Sequence, residues 1–172
     1  AWSALKDCVE YHQADHASAV VLDVKSGEIL AIADYPSFDP NRPISTLDEK
    51  TRTRAVSDLF EPGSIIKPIA LTAVLQHHHY DPKMIIDTEG GQMHFEDVVI
   101  HDHKNLGHIS FEDILLKSSN IAMVKLATSL PEGYLLRQYE RFGLLTPLFV
   151  QIPGEISGKH IAKPARVDEG VM

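Results

Sequence analysis

Residues 60–75, FEPGSIIKPIALTAVL, form the stretch of sequence that decides the fold. Pro62 and Gly63 favour a turn. The run that follows is almost entirely aliphatic and long enough for a helix, which we expect over residues 64–78. Because a helix that is apolar on all sides belongs in the interior of a domain, this one is predicted to be central and buried. Lys67 interrupts the run, and a lysine in such a helix needs a partner or a function.

Ser64 and Lys67 form an S-x-x-K pair at the start of this predicted helix. Three residues are nearly one helical turn, so the hydroxyl and the amine share a face. A lysine whose pKa is lowered by burial can take the proton of a serine, and a helix N-terminus favours a developing oxyanion. The pair therefore predicts acyl transfer through a seryl ester. The alternative is a helix N-cap at Ser64 with a solvated Lys67.

A second polar group, Ser118-Ser119-Asn120, lies at a junction between two predicted helices. At such a junction, an S-x-N pattern can aim a hydroxyl and an amide into one cleft. The hydroxyl of Ser118 could relay a proton, and the amide of Asn120 could hold a substrate carbonyl. The alternative is an N-cap for the helix that begins near Ile121.

The order of elements along the chain is a hairpin followed by a cluster of helices, which is typical of an α+β fold. Lys25-Ser26-Gly27 predicts the hairpin turn. Ser110 with Asp113 predicts a helix cap, and Pro131 and Gly143 mark the ends of a later helix. We expect one partial domain with five segments, namely a leading helix (1–16), a hairpin (17–34), the nucleophile helix (64–78), a helical subdomain with the S-x-N group (110–143) and an irregular tail (144–172).

The composition excludes several classes of protein. With 44% hydrophobic and 23% charged residues, the chain is neither disordered nor collagen-like. Asp and Glu outnumber Lys and Arg by 24 to 16, and this acidic balance argues against a nucleic-acid partner. The single cysteine, Cys8, excludes an internal disulfide and a cysteine-based zinc site. Because the chain opens at Ala1 within a helical pattern, we expect it to be a piece of a longer protein.

The ten histidines suggest a metal site only around His101, His103 and His108, with His94 and Asp102 nearby. An H-x-H pattern on a strand puts two imidazoles on one face. Zinc sites need three or four ligands with supporting contacts, so we interpret this region as a polar surface loop. We expect no metal at the site.

The two polar groups and their flanks together resemble the transpeptidase domain of class B penicillin-binding proteins. The residues that carry the resemblance are FEPGSIIKP (60–68), KSSN (117–120), AVVLDVKSGEILAIADYPSFDP (19–40) and RTRAV (52–56). The FEPGS form is most similar to the division-specific, FtsI type. The resemblance covers about residues 15–157 and implies the transpeptidase fold that penicillin-binding proteins share with serine β-lactamases.

The resemblance also implies a role for each site residue. Ser64 would be the acylated nucleophile, Lys67 its general base, Ser118 the proton relay to the leaving group, and Asn120 the residue that binds the substrate amide. The family cross-links D-Ala-D-Ala stem peptides of peptidoglycan, is acylated by β-lactam antibiotics, and needs no metal or organic cofactor. The parent protein would be anchored in the bacterial inner membrane. It would act on the periplasmic side in septal wall synthesis, with divisome membrane proteins as partners.

One departure from the family pattern is the third box, K-[ST]-G, which is absent downstream of Asn120. The implied fold is therefore truncated, with most of the later strands of the main sheet missing. An apolar helix with so little cover predicts self-association or a missing partner segment. The alternatives are an elongation-type transpeptidase, a D,D-carboxypeptidase, a β-lactamase, or a catalytically inert piece that serves as a scaffold.

Overall fold

The computed structural model of the chain describes residues 1–39, 41, 51–77, 81 and 83–159. These residues mix helices with small antiparallel sheets, which confirms the predicted α+β class. They divide into two compact units, one of Ala1–Leu59 with Pro147–Ile156 and one of Phe60–Thr146 with Ser157–Met172. Within the described ranges, no helix has both the length and the apolar character needed to cross a membrane.

The first unit contains a leading helix, a hairpin and one short helix. They are α1 (Trp2–His12), β1 (Ala17–Leu22), β2 (Ile29–Tyr35) and α2 (Arg54–Ser57). Helix α1 ends earlier than the predicted residue 16 because Gln13 adopts a left-handed conformation with φ 52°. Trp2 of α1 packs edge-on against Tyr35 of β2, with 5.5 Å between ring centroids. The helix is therefore held against the end of the hairpin.

The hairpin turn falls at Lys25-Ser26-Gly27, where the sequence predicts it. Asp23 Oδ1 accepts hydrogen bonds from the backbone N–H groups of Lys25 (3.0 Å) and Ser26 (2.7 Å). Gly27 has φ +76°, a conformation that L side chains rarely adopt. The polar residue and the glycine thus close the turn together.

Asp34 connects the hairpin to α2. Its buried carboxylate accepts hydrogen bonds from Ser18 Oγ (2.5 Å) and from the backbone N–H groups of Arg54 (3.0 Å) and Ala55 (3.2 Å). A carboxylate satisfies the unpaired N–H groups at a helix N-terminus and is attracted by the helix dipole. This one side chain therefore fixes the start of α2.

The second unit packs four helices with two small sheets. The helices are α3 (Lys67–His77), α4 (Phe111–Lys117), α5 (Asn120–Thr128) and α6 (Tyr134–Arg141). One sheet pairs β3 (Ile85–Asp87) with β6 (His108–Ser110), and the other pairs β4 (Gln92–Phe95) with β5 (Val98–His101).

Helix α3 lies at the centre of this unit and packs against α5 and α6. Its Ala70, Leu71, Ala73 and Val74 are buried in the main core. The expectation of an apolar run buried throughout was wrong at its two ends, because the side chains of Ile65 and Leu75 are 72% and 46% exposed. Among the described residues, these two side chains are left open to solvent. The predicted end at His78 lies outside the described residues.

The helices around α3 follow their predicted signals in part. Ser110 and Asp113 form the expected capping box at the start of α4, with each side chain bonded to the other residue's backbone N–H. Helix α6 begins at Tyr134 and not at Pro131, because Gly133 has φ +70° and breaks the helical path. Residues 144–159 contain neither helix nor strand, and the rest of the predicted tail lies outside the described residues.

Candidate active site

Ser64 lies in a short 3₁₀ turn, Gly63–Ile66, which precedes α3. Gly63 has φ +59°, so the turn begins with a conformation that suits glycine. The backbone N–H of Lys67 donates to the carbonyl of Ser64 and joins the turn to the helix. Residues three apart are eclipsed in 3₁₀ geometry, so Ser64 and Lys67 fall on one side of the turn. Ser64 is exposed, whereas Lys67 is the first buried residue of α3.

Lys67 is the most deeply buried cation among the described residues, with only 1% of its surface exposed. Its Nζ donates to Ser118 O (2.8 Å), Ser118 Oγ (3.1 Å) and Asn120 Oδ1 (2.6 Å). An ammonium group has three N–H donors, and here each donor has its own acceptor. The Lys67 side chain therefore binds both the serine and the asparagine of the S-x-N group, Ser118 and Asn120, at the same time.

Burial lowers the pKa of Lys67 from the ordinary lysine value, because desolvation disfavours the charged amine. The carboxylate of Asp102 opposes this effect and raises the pKa in part. The net direction is downward, which brings the neutral amine closer to the working range of a general base.

The segment 118–120 is a sharp junction between α4 and α5. Ser118 ends α4 in a left-handed conformation with φ 51°, which is uncommon for a residue with a side chain. Ser119 is the N-cap of α5, and its Oγ accepts from the N–H of Ala122 (3.0 Å). The reversal at Ser118 lets the two residues on either side of Ser119 point to the same amine.

Asp102 anchors this junction from outside the two helices. It follows directly after β5, and its side chain is 8% exposed. One carboxylate oxygen accepts from Ser119 Oγ (2.7 Å), and the other accepts from the backbone N–H groups of Asn120 (2.5 Å) and Ile121 (3.2 Å). The sequence motifs do not reveal this role, since Asp102 is separated from the S-x-N group by a strand and a helix.

The structure thus brings three of the four predicted site residues into direct contact, namely Lys67, Ser118 and Asn120. Asn120 Nδ2 also donates to the carbonyl of His101 (3.0 Å). Ser64 lies in the adjoining turn, and none of the three hydrogen bonds of the Lys67 amine goes to it. The arrangement is a desolvated amine three residues after an accessible serine, and a serine hydroxyl becomes a nucleophile when such a base takes its proton.

The described histidines are spread over different elements. His94 and His101 lie on β4 and β5 of one sheet, whereas His108 lies on β6 of the other. No group of three or more metal-ligating side chains occurs in the described part of the chain.

A tripeptide of K-[ST]-G form does occur upstream, as Lys25-Ser26-Gly27. In the structure it is the turn between β1 and β2, and it is not part of a strand. It therefore does not have the strand setting of the third family box.

Residues 17–171 match the family model for the penicillin binding protein transpeptidase domain, and the chain belongs to this family.

Two curated relatives illustrate the likeness. A probable peptidoglycan D,D-transpeptidase PbpC of Pseudomonas aeruginosa is 36% identical over 158 residues, which are 92% of this chain and 28% of that protein. The peptidoglycan D,D-transpeptidase FtsI of Escherichia coli is 34% identical over 159 residues, 92% of this chain and 27% of that protein. The chain thus spans little more than a quarter of the length of either. The similar identities define the family and no subtype within it.

Solved structures agree with the fold. The transpeptidase domain of penicillin-binding protein 3 from Burkholderia pseudomallei superposes with a TM-score of 0.79 at 28% identity, over 98% of this chain and 47% of that one. A peptidoglycan glycosyltransferase from Burkholderia ambifaria gives the same TM-score at 30% identity, over 94% of this chain and 46% of that one. Identities above 25% with this degree of superposition establish the penicillin-binding protein fold for the chain.

Proposed function

We propose that the chain carries the acyl-transfer site of a peptidoglycan D,D-transpeptidase, with Ser64 as nucleophile, Lys67 as general base, Ser118 as proton relay and Asn120 as substrate-binding residue. The observation that carries the proposal is the buried amine of Lys67, bonded to Ser118 and Asn120 at 2.6–3.1 Å. The family membership and the names of the relatives point to the same chemistry.

Loss of one proton from Lys67 changes its hydrogen bonds in a defined way. A neutral amine keeps two N–H donors and gains a lone pair. Ser118 O and Asn120 Oδ1 can only accept, so they retain the two N–H groups. Ser118 Oγ has the longest of the three contacts, 3.1 Å, and its O–H can turn to donate to the lone pair. The neutral site therefore links Lys67 to the hydroxyl that would pass on the proton.

Acylation then follows from these positions. Ser64 Oγ forms a bond to the carbonyl carbon of the penultimate D-Ala, and its proton passes to the lone pair of Lys67 once the Ser118 hydroxyl turns from that lone pair toward the leaving nitrogen. The bond from that carbon to the nitrogen of the terminal D-Ala breaks, and the nitrogen receives a proton through Ser118. One N–H of Asn120 Nδ2 is used by His101 O, which leaves the second for a substrate carbonyl. An acceptor amine from a second stem peptide attacks the ester carbon and loses a proton through Ser118 to Lys67, and the bond to Ser64 Oγ breaks as that oxygen takes the proton back from Lys67.

The finer biological assignment belongs to this proposal as well. The FEPGS form of the nucleophile turn favours a role in septal wall synthesis. The parent protein would then act at the periplasmic face of the inner membrane, with divisome membrane proteins as partners and β-lactams as inhibitors. Self-association of the chain stays a prediction, and sedimentation velocity over a range of concentrations measures it.

The test is the intact mass of the chain after incubation with benzylpenicillin, beside the Ser64→Ala variant. We expect a stable increase of one drug molecule in the parent chain and none in the variant. An adduct that forms and then disappears as penicilloate accumulates would favour the β-lactamase alternative. A folded chain without any adduct would contradict the proposal for this chain and favour the scaffold alternative.

A further inference from the structure

Among the described residues, Asp102 is the charged side chain that contacts the S-x-N junction and has no role in the reaction proposed above. Its two carboxylate oxygens accept from three donors, one hydroxyl and two consecutive backbone N–H groups. These donors lie 17 to 19 residues away in sequence. The junction is therefore held by a group from a different element, with both oxygens in use.

The junction needs such an anchor. The left-handed conformation of Ser118 is strained for a residue with a side chain. Strained backbone persists only where its surroundings determine it. The carbonyl and hydroxyl of Ser118 and the amide of Asn120 reach Lys67 only while this reversal holds. Anything that fixes Ser119 and the N–H of Asn120 therefore fixes the acceptors of the amine.

We infer that Asp102 is a positioning residue of the Lys67 site: by binding Ser119 and the backbone of Asn120 and Ile121, it sets where Ser118 and Asn120 hold the amine. The inference deepens the proposed function and rests on it only in treating Lys67 as the base.

Electrostatics agree with this geometry. Asp102 raises the pKa of Lys67 against the larger effect of desolvation. The other cations on the helices packed against α3 have partners of their own. Lys125 of α5 pairs with Glu89 (2.6 Å), and Arg141 of α6 contacts Gln76 of α3 (3.3 Å). Arg137 of α6 lies over the ring of Tyr134. The carboxylate of Asp102 is thus the charge that acts on Lys67 in the described part of the chain.

The test uses the whole chain with isotope-labelled lysine side chains. Lys67 is titrated by NMR in the parent and in Asp102→Asn, and its signal is assigned by its loss in Lys67→Met. Amide hydrogen exchange is measured at Asn120 and Ile121. The matched control is Asp34→Asn, because Asp34 also accepts from one serine hydroxyl and two consecutive backbone N–H groups at a helix start.

In Asp102→Asn we expect Lys67 to titrate at a lower pH than in the parent, and the two amides to exchange about tenfold faster or more. Asp34→Asn leaves both quantities unchanged. A Lys67 titration curve in Asp102→Asn that superimposes on the parent curve would overturn the inference. If Asp102→Asn does not fold, Ser119→Ala removes one of the three donors and is expected to speed the exchange of the same two amides; an unchanged exchange rate would overturn the inference.

Failure of the proposed function gives a different result. If benzylpenicillin does not acylate the chain but the Lys67 titration still depends on Asp102, the proposed reaction is contradicted and the positioning role of Asp102 is supported. If the parent and Asp102→Asn are acylated equally well and their Lys67 titrations are the same, the proposed reaction is supported and the positioning role of Asp102 is contradicted.

Discussion

Two buried aspartates in this chain make nearly the same set of hydrogen bonds in two different units. Asp34 accepts from a serine hydroxyl and the N–H groups of Arg54 and Ala55, at the start of α2. Asp102 accepts from Ser119 Oγ and the N–H groups of Asn120 and Ile121, at the start of α5. Their exposed fractions, 9% and 8%, are also alike. As isolated helix caps, the two cannot be told apart.

The difference lies in the cation next to each cap. Beside Asp34, the guanidinium of Arg54 pairs with Asp58 at 2.9 Å, and both side chains are partly buried. Beside Asp102, the amine of Lys67 is fully buried and takes its acceptors from the capped segment itself. A carboxylate cap therefore becomes part of a candidate reactive site when the segment it holds also holds a desolvated base. At Asp34, where no such base is held, the same set of hydrogen bonds only stabilises the fold.

The largest expected effect comes from removing the base. Lys67→Met keeps a side chain of similar length but cannot accept the proton of Ser64. General-base catalysis contributes about 10²–10⁴-fold, so we expect the rate constant for acylation by benzylpenicillin to fall by that factor. The measurement is the time course of the adduct by intact mass. A variant that acylates at the parent rate would show that Lys67 is not the base.

The second prediction breaks each cap in turn. Asp102→Ala orphans three donors and removes the carboxylate whose charge opposes the desolvation of Lys67, so we expect a loss of about 3–5 kcal/mol in the unfolding free energy of its unit. Asp34→Ala also orphans three donors, but the nearby cation, Arg54, retains its ion pair with Asp58. We therefore expect a smaller loss of unfolding free energy, about 2–3 kcal/mol.

Two probes separate these effects. Trp2 is the single tryptophan and lies against Tyr35 in the first unit, so its fluorescence reports the unfolding of that unit in Asp34→Ala. Hydrogen exchange of the α5 amides reports the opening of the second unit in Asp102→Ala. A larger loss in Asp34→Ala than in Asp102→Ala would contradict the contrast between the two caps.

The sequence predicts the cap residues that lie close together along the chain and misses those that do not. Ser110 with Asp113 is visible as a pattern because both residues belong to one helical turn. The S-x-x-K and S-x-N groups are visible for the same reason. Asp102 acts on Ser119 from 17 residues away, across a strand and a helix, and only the packed structure shows that pairing.

The fold was predictable to a similar degree. The hairpin follows from two β-branched or aliphatic runs around a glycine turn, which are local features. The start of α6 depends on Gly133 adopting a positive φ, and nothing in the local sequence separates that from a helical glycine. The exposure of Ile65 and Leu75 depends on which elements pack beside α3, so hydrophobicity alone misplaced them.

The third prediction concerns pH. The free amine of Lys67 is the active form, so the acylation rate should rise about tenfold per pH unit below its pKa and reach a plateau below the ordinary lysine value of 10.5. Stability should rise with pH between the lowered pKa of folded Lys67 and 10.5, since in that window the unfolded chain binds more protons than the folded one. Asp102→Asn moves the plateau to lower pH, and Asp34→Asn leaves the profile unchanged. A flat profile in the parent would contradict the assignment of Lys67.

The smallest expected effect separates the two serines that donate to these carboxylates. Ser119 is fully buried, and its Oγ also accepts from the N–H of Ala122, so Ser119→Ala leaves buried polar groups that water does not reach. We expect a loss of about 1–2 kcal/mol in unfolding free energy. Ser18 is exposed, so water replaces its hydroxyl at Asp34, and Ser18→Ala should cost about 0.5 kcal/mol. Equal losses from urea unfolding would mean that burial does not distinguish the caps. The difference between Asp102 and Asp34 would then rest on Lys67 alone.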